Sequence, residues 1–444
     1  MNRKRAAFAS LLAIVLAAPL RADVLVDNVD GLTLAADGSV QRFSGLLIDD
    51  NGRVQQIFQR GDKRPARADY RLDGKARVLM PGLIDSHVEL MRLGFARIPP
   101  ASPGARPRPE DRDQALVEAQ KVLLERGITA VVDLGTTIED WQAYRRAGDL
   151  GTLALRIIAY ARDTDAMSLI GGPGPTPWLY DDRLRLNGVH IVLDGPLDSR
   201  GAALKLPYAD APASKSQLRL SEIQLKNLIS RAGIDRFQIV VEAHGDKANA
   251  VLLDAIDELA LTYKGERRWR IAGAQFVDPA DFARFAKNGL ALTMQPRALA
   301  SGAPMTEARL GPLRLPGAYA WKSLSAAGAR LAFGSGAPDS PPDGFAGMAT
   351  AITRQGADGL PFGGWQGQER VSREAALAGY TTSAAWAAFA EGRIGRIAIG
   401  QRADFLLVDR DPLLASPSEL RAIKVLQTWI GGRQVFQAKD EPVR

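Results

Sequence analysis

Two short stretches of the chain carry paired groups able to do chemistry. His87 and Glu89 are separated by one residue, and so are Glu242 and His244. On a β-strand alternate side chains share a face, so each pair would point the same way. Imidazole nitrogen and carboxylate oxygen both ligate zinc, manganese or iron, and a His-x-Glu pair can grip one ion. The chain has only three histidines, and the third is His190. From spacing alone, a histidine near a strand end is more often a hydrogen-bonded structural group than a ligand, so both readings stay open.

The elements that must position these groups alternate apolar runs with helical patterns, the signature of βαβ units and a parallel sheet. Eight strands are expected, over residues 79–89, 130–135, 156–161, 190–195, 238–245, 270–275, 291–296 and 330–336. Eight such units predict a closed (β/α)8 TIM-like barrel, whose sites form at the C-terminal ends of the strands. His87, Glu89, Glu242 and His244 all fall at such ends, and His190 opens the fourth strand. Helices are expected over 110–126, 221–232, 246–263 and 278–287, with Gly127, Gly233, Gly265 and Gly289 as stop signals. The long polar loop 195–216 holds Asp198, Arg200 and Tyr208, and reads equally as a cover over the mouth or as a solvated crossover.

Both ends are β-rich and broken by hairpin dipeptides: Asp37-Gly38 and Asn51-Gly52 at one end, Gly431-Gly432 at the other. They predict one small β-sandwich domain assembled from residues 23–78 and 390–444, enclosing a barrel at 79–389.

Of the net charge of +7, four positive charges (Arg3, Lys4, Arg5 and Arg21) lie in the first 22 residues, which contain no acid. A basic start, an apolar run over 6–19 and small residues before Asp23 predict a secretory signal peptide at 1–22 and an exported, periplasmic or extracellular protein. The apolar run is too short for a confident membrane span, and no later run is longer. Without a basic stretch or interleaved aromatics in the remainder, nucleic acid is not an expected partner. The absence of cysteine excludes disulfides and thiolate metal sites. Nothing calls for a nucleotide cofactor, and a small molecule is the expected ligand.

Residues 78–89, with Pro81-Gly82-Leu83-Ile84-Asp85 leading into His87, resemble the first-strand signature of the amidohydrolase superfamily. The tail residues Gly400-Gln401-Arg402-Ala403-Asp404 and Trp429-Ile430-Gly431-Gly432 are similar to its return into the small sheet. Leu193-Asp194-Gly195, His244-Gly245-Asp246, Met294-Gln295-Pro296 and Phe333-Gly334-Ser335-Gly336 resemble the amidohydrolase 3 branch. The likeness runs over nearly the whole chain after residue 22. It implies a metal-activated water attacking an amide or cyclic amide.

Carried over position by position, the resemblance keeps His87 as a ligand, while Glu89 replaces the second histidine. His190 stands for the lysine that many members carboxylate, and Glu242 for the strand-five histidine. Ala272-Gly273 stands for a Glu-His pair, and Gly336 for the aspartate that shuttles the proton. The surviving donors His87, Glu89, His190 and Glu242 imply one rearranged site for a divalent ion, zinc first. His244 and Asp339 are the candidates for the missing proton carrier, although Asp339 also reads as part of a surface turn. Asp198, Arg200 and Tyr208 are the expected substrate contacts. Two functions follow: a hydrolase of carbon–nitrogen bonds other than peptide bonds, or an inactive relative that binds at the mouth.

Overall fold

A computed structural model describes residues 23–99, 106–214 and 216–439. The expected signal segment, 1–22, lies outside the described residues. The N-terminal part forms β1 (Val24–Leu34), β2 (Val40–Ile48), β3 (Val54–Phe58) and β4 (Tyr70–Pro81). The barrel strands follow: β5 (Leu83–Val88), β6 (Ile128–Thr136), β7 (Arg156–Ala161), β8 (Leu184–Val192), β9 (Gln238–Ala243), β10 (Arg270–Gly273), β11 (Ala291–Met294) and β12 (Arg330–Phe333). The chain returns through β13 (Phe405–Val408), β14 (Val425–Ile430) and β15 (Arg433–Gln437).

Both ends meet in one seven-stranded sheet, ordered β15-β14-β13-β4-β1-β2-β3. The join is antiparallel, with Phe405 opposite Pro81 and Val408 opposite Val78. This sheet has its own core, in which Phe405 stacks on Trp429 beside Val26, Leu46 and Leu79. Consequently the expected first barrel strand, 79–89, is two strands. Met80 and Pro81 pair with β13, and the barrel begins at Leu83. Gly82 marks the break, where an added Cβ would sit 2.2 Å from Thr129 Oγ1.

The eight barrel strands run parallel in chain order, and helices cover the sheet from outside. Val88 bridges Ala337 to close the ring, and the Gly336 N–H donates to His87 O at 2.9 Å. Buried Asp85 fastens this seam by accepting from Ser335 N (2.8 Å) and His87 N (3.1 Å). Closure leaves no exposed edge to pair elsewhere. The helices Pro109–Glu125, Glu222–Ile234, Asp246–Leu259 and Phe282–Lys287 lie where apolar spacing places them.

β8 starts at Leu184, earlier than expected, because its polar residues point into the barrel instead of ending the strand. Buried Asn187 donates to Tyr160 Oη and Gln238 Oε1. The shift matters for chemistry: it moves His190 from the start of the strand to its C-terminal end. Among the described residues no helix is long and apolar enough to cross a membrane.

Candidate functional site

His87, His190, Glu242 and His244 all line one cavity of about 780 Å³ at the C-terminal mouth. Each is placed by a strand end. Glu242 shares the inward face of β9 with Val240, by alternation. His244 lies just past that strand, and its backbone N–H donates to Asp194 Oδ1 at 2.7 Å. Its ring then folds back on Glu242, with Nε2 3.1 Å from Oε1. His190 Nε2 faces the other carboxylate oxygen, Oε2, at 3.5 Å. That is too long for a good hydrogen bond, and this buried nitrogen has no other partner. His87 stands apart from the pair, its Nδ1 held by the Gln295 amide at 2.7 Å.

The charges follow from burial and neighbours. Burial opposes ionisation of Glu242, but the facing His190 and His244 rings outweigh it and hold its carboxyl well below the usual range. Burial likewise lowers the pKa of His244, and Glu242 reverses this, leaving it above the ordinary value. For His87 burial wins. With His190, His244 and Arg270 reinforcing burial against Glu242, its pKa falls to about 4, so the ring is neutral at pH 7. The cavity therefore holds a paired carboxylate and imidazole beside a neutral imidazole, a set able to bind and transfer protons.

Two of the residues expected in this cluster lie at its rim. β5 ends at Val88, so the alternation that would aim Glu89 alongside His87 stops one residue short. The chain turns at Glu89 into the helix Leu90–Phe95, whose first amide donates to buried Asp133. The half-buried Glu89 carboxylate pairs with Arg92 at 2.9 Å. Asp339 takes the same guanidinium through both its oxygens, at 2.9 and 2.6 Å, and is 69% exposed. The surface-turn reading of Asp339 holds, and neither Glu89 nor Asp339 contacts Glu242.

The strand-four loop is also only partly as expected. Asp198 lines the cavity. Arg200 is tied to Asp210 at 3.0 Å, and Tyr208 is buried with its hydroxyl on Ala202 O at 2.7 Å. These two side chains hold the loop's shape instead of facing a ligand. Asp194 accepts from Ala203, His244 and Gly245 amides, and Asp246 from Lys205 and Lys247 amides, the backbone-shaping roles their motif suggests.

The two glycines differ in kind. At Gly273 (φ +89°) an added Cβ would lie 2.7 Å from both Cε1 and Nδ1 of His244. The His244 ring occupies the space into which any side chain at 273 would project. At Gly336 (φ +73°) a Cβ meets only Gln295 Cγ, at an ordinary 3.5 Å. That position is bare but open.

Sequence reasoning missed two residues of the site. Gln295 fixes the His87 ring, and fully buried Arg270 reaches Ser86 O (3.0 Å) and Thr293 Oγ1 (2.6 Å) beneath it. Gln295 lies in a motif stretch that gave a signal. Arg270 reads in sequence as an ordinary strand start.

Among the described residues no group of three His, Asp or Glu side chains stands where it could hold a metal ion. One pair of donors nonetheless has a spacing that suits an ion. In a tetrahedral site with bonds of about 2.0–2.1 Å, neighbouring donors lie roughly 3.3–3.4 Å apart. The orphaned His190 Nε2 and Glu242 Oε2, at 3.5 Å, have nearly that spacing.

Residues 99–436 match the family model described as the amidohydrolase family. The chain is 31% identical over 348 residues to Protein LONG AFTER FAR-RED 3 of Arabidopsis thaliana, covering 74% of this chain and 58% of that protein. It is 32% identical over 254 residues to the Bacillus subtilis protein YtcJ, covering 57% and 48%. The chain thus spans about half the length of the curated relatives it matches. Its fold is that of an uncharacterized metal-dependent hydrolase from Pyrococcus horikoshii, with a TM-score of 0.77 at 20% identity over 89% of this chain and 99% of that one. The protein is a (β/α)8 barrel with its candidate site at the strand ends, and it belongs to the amidohydrolase family.

Proposed function

We propose that this chain hydrolyses amide-type carbon–nitrogen bonds with the help of one divalent ion, zinc by preference, and that it acts outside the cytoplasm. The observation that carries the reading is that all three histidines of a 444-residue chain line one cavity, and two of them face one carboxylate. His87, His190 and Glu242 would hold the ion, which supplies acidification of water and polarisation of a carbonyl. Export rests on the charged, apolar and small-residue order of residues 1–22.

The remaining steps belong to the chain's own side chains. Gln295 fixes the orientation of His87. In this reading His244 holds a proton at Nε2 against Glu242 Oε1 and delivers it to the departing nitrogen. Gly336 carries no side chain for that role, and Asp339 is engaged with Arg92. Asp194 keeps the His244 backbone in place.

The test is turnover of a panel of N-acyl and N-formyl amides by zinc-loaded protein. Glu242→Ala and His190→Ala should each lower hydrolysis by roughly 10²–10⁴, the usual worth of acid–base assistance and more if the ion is lost. Hydrolysis unchanged in both variants overturns the site assignment. The open position at Gly336 favours a second reading, a relative that binds amides without cleaving them. Saturable binding with no turnover under any divalent ion would establish that reading instead.

A further inference from the structure

The mouth cavity has a cationic side that the chemistry above does not use. Arg297 and Arg421 both line it, from distant parts of the chain. Arg297 lies in the first turn of the helix Pro296–Leu310, which follows β11. Arg421 ends the helix Pro417–Arg421, in the connection between β13 and β14 of the small sheet. Both helices pack on Gly344–Thr353, whose Ala346 and Thr350 also line the cavity. The small sheet's connection thus delivers one guanidinium to the barrel's mouth.

Neither arginine has a carboxylate bonded to it. Arg421 donates to two carbonyls, Pro417 O (3.3 Å) and Gln355 O (2.8 Å). The Arg297 side chain makes no hydrogen bond or ion pair among the described residues, and both side chains are half-buried. The cavity's own acids are placed elsewhere. Glu89 and Asp339 share Arg92, Glu242 faces two histidines, and Asp198 caps the next amide of its loop. Burial and the charge of Arg297 depress the pKa of Arg421, and Asp358 only partly offsets them. Two guanidiniums facing one cavity without an anion are a planar, multidentate receptor for a carboxylate.

We propose that Arg297 and Arg421 form a subsite that binds a carboxylate of the substrate. This rests on the reading of the cavity as an amide-hydrolysing site, and adds the substrate class. Arg297 is two residues from Gln295, whose amide holds His87, so at most about 7 Å of chain separates them. Both groups would sit in one cavity, so the substrate class is a small molecule that carries a carboxylate and an amide together, as in an N-acylated amino acid.

Binding tests this without turnover. N-acetyl derivatives of glycine, alanine, phenylalanine and glutamate, their methyl esters, and inorganic phosphate are titrated into the full chain by ligand-observed NMR and thermal shift. At least one acid should bind at least ten-fold more tightly than its ester. Arg297→Gln should remove that preference and leave ester binding unchanged. The Arg297 side chain has no hydrogen bond or ion pair to lose among the described residues, and an unchanged melting temperature of the unliganded variant confirms that it reports on the ligand. Arg421→Gln should act in the same direction, its melting temperature confirming the fold. Equal binding of acids and esters, binding indifferent to Arg297, failure of every acid to bind up to about 10 mM, or Arg297-dependent binding of phosphate alone overturns the proposal. Glu242→Ala should keep the Arg297-dependent preference. If hydrolysis fails and the preference remains, the hydrolase reading is wrong and the subsite stands.

Discussion

The two halves of the barrel mouth are built differently. On one side β5, β8 and β9, of six, nine and six residues, carry His87, His190 and Glu242 within two residues of their ends. On the other, β10, β11 and β12 have four residues each, and their inner face is lined by Ala272, Ala291 and Ala332. Arg270 takes up a place beneath the site in that second half, with no carboxylate partner. The contrast teaches that losses on one side cannot be read one position at a time. Gly273 looks in isolation like an erased ligand, yet the His244 ring from the opposite half stands where its side chain would project. Gly336 has no such occupant. One absence is a rearrangement and the other is a vacancy.

The largest effect should come from breaking the populated half. Glu242→Gln keeps the shape and removes the charge that both facing histidines share, so turnover should fall by roughly 10²–10⁴ in steady-state assays. A fall below ten-fold would place the chemistry elsewhere. Next, Gly273→Val should push the His244 ring off Glu242. We expect a loss of about 10² in turnover together with about 1–3 kcal/mol of stability from the strained φ, seen by denaturant unfolding. A variant with wild-type turnover would show that the His244 position is incidental.

The seam between the halves has its own signature. Burial raises Asp85 from 3.8 to about 6, against the hydrogen bonds from Ser335 and the His87 amide. A folded-state pKa above the unfolded one means that the folded protein holds this proton more tightly. The contribution is present below about pH 4 and is lost as pH rises through 6, on the order of 3 kcal/mol. Asn at 85 still accepts from both amides, so unfolding free energy measured from pH 4 to 6 should vary less in Asp85→Asn than in the wild type. Equal slopes would remove Asp85 from the account.

Smaller effects test the vacancy and the rim. Gly336→Asp has room for its Cβ but takes on a positive φ (+73°), so it should lose about 1–3 kcal/mol of stability, with turnover within about three-fold of wild type if His244 already carries the proton. A gain of ten-fold or more would show that strand eight still limits the reaction. Glu89→Gln and Asp339→Asn should change turnover less than two-fold and stability by at most about 0.5 kcal/mol, as for exposed ion pairs.

Much of this was legible before any coordinates. Alternation and strand-end logic brought His87, Glu242 and His244 to one mouth, and the β-rich ends foretold a shared sheet; His190 was read as opening its strand and entered the site only through the family resemblance. Glu89 failed because spacing shows which residues share a face but not the residue at which a strand stops, and β5 stops at Val88. Tyr208 and Arg200 failed because a polar loop residue serves its own backbone as readily as a ligand. Arg270, Arg297 and Arg421 were invisible for another reason. What distinguishes them is the carboxylate they lack, and a missing partner is a property of the folded chain alone.

The central claim is that the populated half of the mouth, and not its rim, holds the ion. Elemental analysis of purified wild type, Glu242→Ala and Glu89→Ala tests it most directly. The expected result is about one divalent ion per chain in the wild type and in Glu89→Ala, and none in Glu242→Ala. A wild type without metal, or an ion that survives the loss of Glu242 and departs with Glu89, would contradict it.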